Sequence, residues 1–210
     1  MQIRSDSFAS GADIPTEFAL GKPGDGDQKI ALAGNRNPHL AWHGAPAATR
    51  SFALACIDGD APSKGDDVNK EGRTVPLDLP RVEFTHWLMI DIPPTCTSIA
   101  AGACSDGVTP HGKRHPPGPS GSRQGRNDYT SWFASDPDMA GDYFGYDGPC
   151  PPWNDPLPHR YRFRVFAVDV PRLDLPEVFG WPELQTALRG HLLEEAEWLG
   201  IYSISAEASQ

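Results

Sequence analysis

Three stretches of the chain alternate large apolar side chains with small or polar ones, and each predicts a β-strand. Ser51 to Ile57 sets Phe52, Leu54 and Cys56 on one face with mostly smaller residues opposite, and Asp58-Gly59-Asp60-Ala61-Pro62 closes it. Glu83 to Ile92 follows, with Phe84, His86, Leu88 and Ile90 on one face, Thr85, Trp87 and Met89 on the other, and Pro93-Pro94 as its end. The clearest run, His159 to Val170, sets Tyr161, Phe163, Val165 and Ala167 together and stops at Pro171. Three strands are too few for a core of this size. Weaker ones are therefore expected in residues 1–42, with Leu40-Ala41-Trp42 foremost, and near Ile201-Tyr202.

Helical spacing is confined to the end of the chain. Pro182 suits a first helical turn, and Leu184, Ala187, Leu188 and Leu192 recur at three or four residues. Gly190 interrupts that pattern, and a second short helix is expected from His191 to Trp198. Residues 63–82 have mixed charge and no period. Residues 104–158 contain eighteen Gly or Pro, yet Tyr129, Trp132, Phe133, Tyr143, Phe144, Tyr146 and Trp153 are scattered among them. Such rings predict a long loop folded back over the body, with a helical turn at Pro137 to Ala140.

Composition narrows the class further. Among 210 residues there are 21 glycines and 22 prolines, which favours turns over long helices and excludes a helical bundle. Nothing marks a second domain, so residues 1–210 are read as one. The formal net charge is −10, and the densest basic group, Arg160, Arg162 and Arg164, alternates along a strand and faces water. Nucleic acid is not an expected partner. No run of 18 apolar residues is present, so no membrane span is expected. Cys56, Cys96, Cys104 and Cys150 form no CxxC pair and read as free thiols, with a Cys96–Cys104 bridge as the alternative. The start of the chain carries no secretory pattern; the expectation is a cytoplasmic protein, or a periplasmic one if a leader has been removed.

Candidate chemistry gathers at the strand ends. Asp58 and Asp60 follow the first strand, His86 lies within the second and His159 opens the third. Imidazolium N–H groups, tyrosine hydroxyls and glycine-turn amides suit a small anion. An aspartate on one ring nitrogen would hold each histidine and leave its other nitrogen for the ligand. The blander alternatives are a core histidine, an ordinary Asp-Gly-Asp turn and tyrosines that only pack. Cys150 with His159 as its base is an alternative reading as a hydrolase, and His86, His159, Asp58 and Asp60 an alternative as a metal site. Neither has a supporting motif: there is no GxSxG and no metal-type spacing. No cofactor or metal is expected.

Several segments, taken in order, resemble the phosphatidylethanolamine-binding protein family, specifically its bacterial, Raf kinase inhibitor-like branch. They are Phe8-Ala9-Ser10-Gly11 with Ile14-Pro15, then Asn37-Pro38-His39-Leu40-Ala41-Trp42-His43-Gly44-Ala45-Pro46 and Asp58-Gly59-Asp60-Ala61-Pro62. Thr85-His86-Trp87-Leu88 follows, then Gly145-Tyr146-Asp147-Gly148-Pro149-Cys150-Pro151-Pro152 through His159-Arg160-Tyr161-Arg162-Phe163, and finally Leu188-Arg189-Gly190-His191 with Glu194-Glu195-Ala196-Glu197. The resemblance implies a mainly β fold, with a large central antiparallel or mixed sheet, a smaller second sheet and short peripheral helices. It also implies a pocket for a phosphate-like anion or phospholipid head group, lined by Asp58, Asp60, His86, Gly148, Pro149, His159 and Tyr161. Family members are mostly non-catalytic binding proteins or regulators, so a protein partner, as in protease or kinase inhibition, is the alternative role. A homodimer is implied by analogy. The chain departs from the pattern in three places. Gly59 replaces a proline, and insertions are expected at 16–36 and 63–82, the latter as a lid or an interface.

Overall fold

The computed structural model describes residues 1–206 and 208. The described strands are β1 (Gln2–Arg4), β2 (Ala12–Asp13), β3 (Gly21–Pro23), β4 (Ile30–Leu32), β5 (Leu40–His43), β6 (Ser51–Pro62), β7 (Arg81–Ile92), β8 (Ser98–Ile99), β9 (Arg123–Gln124), β10 (His159–Val168) and β11 (Leu192–Tyr202). They form a six-stranded sheet in the order β2-β11-β10-β6-β7-β9, a three-stranded sheet β1-β5-β8 and a β3-β4 hairpin. The large sheet is antiparallel except where β2 runs parallel to β11, so it is mixed. Helices are short: α1 (Tyr129–Trp132), α2 (Trp181–Leu188) and a 3-10 turn at Thr16–Phe18. None of the described helices is long and apolar enough to cross a membrane.

Both faces of the central strands are covered, which is why β6 reads as an almost unbroken apolar run. Phe52, Leu54 and Cys56 join Phe163, Val165, Trp87 and Met89 in a core beneath the small sheet. On the opposite face Ala53, Ala55 and Ile57 leave room for α2, which inserts Trp181, Leu184 and Leu188 against Phe166 and Leu88. Each large side chain buried this way contributes about 2 kcal/mol. Pro182 opens α2 as expected, and the Glu183 carboxylate accepts the Gly180 N–H at 2.9 Å.

The structure corrects three sequence expectations. His191 to Trp198 is not a helix: from Leu192 it is strand β11, paired with β10 from Val168 to His159. Its Leu-, Ala- and Glu-rich sequence favours helix locally, but the arginines of β10 reach across to it. Arg164 bonds Glu195 at 2.7 Å, and Arg162 lies 3.5 Å from Glu197. The first strand does not stop at Asp58. It continues to Pro62, with Gly59 and Asp60 bulged out opposite β7. Third, the faces of β7 are not those of a regular strand. Trp87 stands opposite Cys56 and Thr85 opposite Ile57, so His86 is the extra residue of a β-bulge. The bulge reverses the alternation, sending Leu88 and Ile90 toward α2 while His86 turns to the other side.

Within 104–158, the rings of Tyr129, Tyr143, Phe144 and Tyr146 are buried and fasten the loop to the body. A single turn closes at Asp136–Ala140, and α1 adds a helical turn the sequence did not announce. Gly59 is exposed and a Cβ there would meet nothing within 4 Å. Gly59→Ala should therefore move the melting temperature by no more than about 2 °C, a shift calorimetry can read.

Candidate functional site

A cavity of about 110 Å³ opens where the ends of β6, β7 and β10 meet. The strands supply Asp58, Phe84, His86, His159 and Tyr161. Tyr129 and Trp132 of α1 form one wall and Cys150-Pro151-Pro152 another, while Lys64, Gly65 and Val68 close the outer side. Segment 63–82 thus contributes to the cavity directly. Asn154 holds it there: its amide N–H groups donate to the carbonyls of Asp67, Lys70 and Arg73, and its Oδ1 accepts the Asn69 N–H.

His159 sits between two carboxylates. Its Nδ1 donates to Asp58 at 2.7 Å and its Nε2 to Asp155 at 3.1 Å. Carboxylates only accept, so both ring nitrogens carry hydrogen and the ring is an imidazolium. Burial opposes that charge, but the two hydrogen bonds and the two negative charges outweigh it and lift the pKa to about 9. Arg81 pairs with Asp155 through both of its terminal nitrogens. Burial would raise the Asp155 carboxyl, yet its bonds to His159 and Arg81 hold it below the usual range. The group of two acids and two cations is electrically closed.

His86 is different. Its Nδ1 donates to the Asp147 carbonyl at 2.8 Å, and its ring lies 5.1 Å from that of Tyr161 and 5.4 Å from that of Tyr129. Burial pushes its pKa down, against the upward pull of Asp58, the Asp147 carbonyl and Asp128. Nε2 has no protein partner among the described residues. The Tyr161 hydroxyl is fully buried and also unpartnered there. Burial, with Asp58 nearby, raises the Tyr161 pKa well above its ordinary value, so the group remains a donor.

Of the residues singled out in the sequence, Asp58, His86, His159 and Tyr161 are brought together; the rings of His86 and His159 both flank Tyr161, the latter at 6.5 Å. Asp60, Gly148 and Pro149 do not line the cavity. Asp60, itself buried, forms a two-pronged pair with Arg160, at 2.7 and 2.9 Å. Gly148 is needed for close packing, since a Cβ would stand 2.1 Å from the Phe18 carbonyl oxygen. The Pro149 carbonyl accepts the N–H groups of Leu20 and Gly21. Of the four proposed metal ligands Asp60 therefore stands apart from the other three, and Asp155 takes the ring nitrogen expected to face the ligand. For the same reason no nitrogen of His159 is left to deprotonate Cys150, whose thiol burial pushes up to about 12.

Sequence reasoning missed Asp155, Tyr129 and Lys64. Asp155 had a usable signal: Pro156 and Pro158 stiffen the link to His159, four residues on. Lys64 reaches the cavity from an irregular segment and Tyr129 from a helix of one turn, too short for periodicity to show.

A family model described as phosphatidylethanolamine-binding protein matches residues 4–203. A UPF0098 protein of Methanothermobacter thermautotrophicus is 31% identical over 202 residues, covering 96% of this chain and 98% of that protein. The Escherichia coli UPF0098 protein YbcL is 27% identical over 203 residues, covering 97% of this chain and 87% of the relative. The crystal structure of E. coli YbcL, described as a member of the mammalian PEBP family, matches with a TM-score of 0.68 over 97% of this chain and 98% of its own, at 27% identity. A Chlamydia trachomatis homologue shares the fold, with a TM-score of 0.62, 23% identity and 96% of each chain covered. The chain belongs to the phosphatidylethanolamine-binding protein family, on the branch that includes these microbial UPF0098 proteins.

Proposed function

We propose that this protein is a non-catalytic receptor for a small phosphate-like anion, carried free or on a larger molecule. The observation that supports this most strongly is the hydroxyl of Tyr161, a cavity-lining residue, which is buried with no partner among the described residues. An unsatisfied buried donor costs about 1–3 kcal/mol, a cost that a ligand oxygen removes. His86 lines the same cavity. Lys64, which makes no hydrogen bond or ion pair with described residues, brings positive charge to the outer side. The neighbouring acids repel an anion little, because Asp58 and Asp155 are neutralised by His159 and Arg81. A non-catalytic role fits a thiol held protonated and a histidine whose nitrogens are both engaged.

Calorimetric titration with phosphoethanolamine tests the reading. Tyr161→Phe, which removes only the hydroxyl, should weaken binding about tenfold while leaving the melting temperature unchanged or higher. Lys64→Met should weaken it several-fold and flatten its dependence on salt, because an exposed charge acts through a screened field. Equal affinities for the wild type and Tyr161→Phe would remove the basis for this function.

A further inference from the structure

A second cavity, of about 700 Å³, opens beside β9 and shares no lining residue with the first. That volume suits a small ligand. Its walls are braced by bonds already made within the chain. Arg123 pairs with Asp91 at 2.8 Å and donates to the carbonyls of Leu173, Leu175 and Pro176, which fastens segment 173–178 along β9. The Gln124 amide accepts the Trp87 indole N–H at 2.8 Å and donates to the Pro117 carbonyl at 2.7 Å, propping the Pro116-Pro117 wall. Arg114 is paired with Asp142. Walls fixed in this way lose little freedom when a ligand enters. Three ionisable side chains that line the cavity are left over. Arg126, His115 and Glu177 are exposed, and none has a side-chain hydrogen bond or ion pair among the described residues. The Arg126 N–H donates to the Phe179 carbonyl at 2.9 Å, which sets its main chain two residues from Glu177, yet guanidinium and carboxylate do not pair. The cavity therefore presents a positive and a negative pole together, with the 49% exposed side chain of Val178 as apolar surface beside them.

We infer that this cavity is a separate site for short peptides with free ends, the carboxylate held by Arg126 and His115 and the ammonium by Glu177. A guanidinium takes a carboxylate through two parallel N–H bonds, and an imidazole adds one N–H in either tautomer. Charge favours a zwitterion over a simple anion. Arg126 attracts an anion, but Glu177 and the formal net charge of −10 repel it. A simple cation meets the reverse conflict, drawn by Glu177 and opposed by Arg126. A molecule with both charges and no net charge engages both poles and crosses the surrounding field unopposed.

Di-, tri- and tetra-alanine serve as a ruler for the site, because their terminal charges part by about 3.5 Å per added residue. Each is titrated to about 10 mM while NMR follows the Val178 methyl groups and the Arg126 Nε–H. Both signals should shift, with one peptide length binding most tightly. For that peptide, C-terminal amidation and N-terminal acetylation should each weaken binding about fivefold, the worth of a favourable exposed ion pair. Arg126→Gln should bind the free and amidated forms equally, and Glu177→Gln the free and acetylated forms equally. Both positions are exposed, so both variants should melt with the wild type. Tyr161→Phe, which alters the first cavity, should leave every peptide affinity unchanged. Peptide binding lost in that variant would place the peptides in the first cavity and overturn the inference. No shift with any of the three peptides would overturn it, as would capped forms that bind as tightly as free ones. Acetylated forms that bind more tightly than free ones would overturn it and show a simple anion site.

Discussion

Replacing His159 with glutamine should lower the melting temperature by about 10 °C near pH 6 and make stability nearly flat between pH 6.5 and 9. The imidazolium separates Asp58 from Asp155, and its removal leaves two buried carboxylates with one amide donor group between them. Losing one partner of a buried ion pair costs about 3–5 kcal/mol, and each kcal/mol is worth about 2–4 °C in a chain of this length. The pH dependence follows from the direction of the shift. The folded pKa of about 9 lies above the unfolded value of 6.5, so the stabilisation is complete below pH 6.5 and is lost as pH rises through 9. Its size is roughly 3 kcal/mol. On the acid side the signs reverse. His86 has a lowered pKa and resists protonation in the fold, so stability falls as pH drops below 6.5. Asp60 and Asp155, also lowered, extend that loss below about pH 4. Thermal melts across the pH range should therefore peak near pH 6.5 in the wild type. A wild-type profile without an alkaline decline, or a decline that persists in His159→Gln, would show that this ring is not the buried cation.

Gly148→Ala should be among the more damaging single methyl additions in the molecule, costing about 4 kcal/mol or more. The added carbon would stand 2.1 Å from the Phe18 carbonyl oxygen and 3.0 Å from Ala19 Cα and Leu20 N, all main-chain atoms that cannot rotate away. Relief would require the 145–149 turn to part from residues 18–21. That movement would break the Pro149 carbonyl bonds to Leu20 and Gly21, the Gly148 N–H bond to Asn35 and the Tyr146 hydroxyl bond to Phe18. The same turn carries the Asp147 carbonyl that orients His86. The variant should melt more than 8 °C below the wild type, and where still folded it should bind phosphoethanolamine weakly. A loss under 3 °C would mean that the turn yields easily and does not position the site.

Much of the fold was legible because β6, β7 and β10 are long and alternate strongly, and their faces pack as the side chains predict over most of their length. What escaped periodicity was the bulge at His86, where one extra residue exchanges the faces of the residues that follow as far as Ile90. β11 escaped for the opposite reason. Its helix-favouring residues are overruled by pairing with β10 and by the glutamates that meet Arg162 and Arg164. The site shows the same division. Asp58, His159 and Tyr161 sit at or near strand ends, where polar residues interrupt an apolar pattern and draw notice. Gly148 also drew notice, but its role is steric, which no residue type reveals alone. Asp155 and Lys64 come from loops and Tyr129 from the single-turn α1, and only the folded chain shows that they reach the cavity.

The most direct test of the account is a crystal structure of the protein soaked in phosphate at pH 7.5. The account predicts a single phosphate in the cavity, with one oxygen about 2.7 Å from the Tyr161 hydroxyl and another within hydrogen-bond reach of His86 Nε2. A cavity holding only water at saturating phosphate, with Tyr161 bonded to that water, would contradict it.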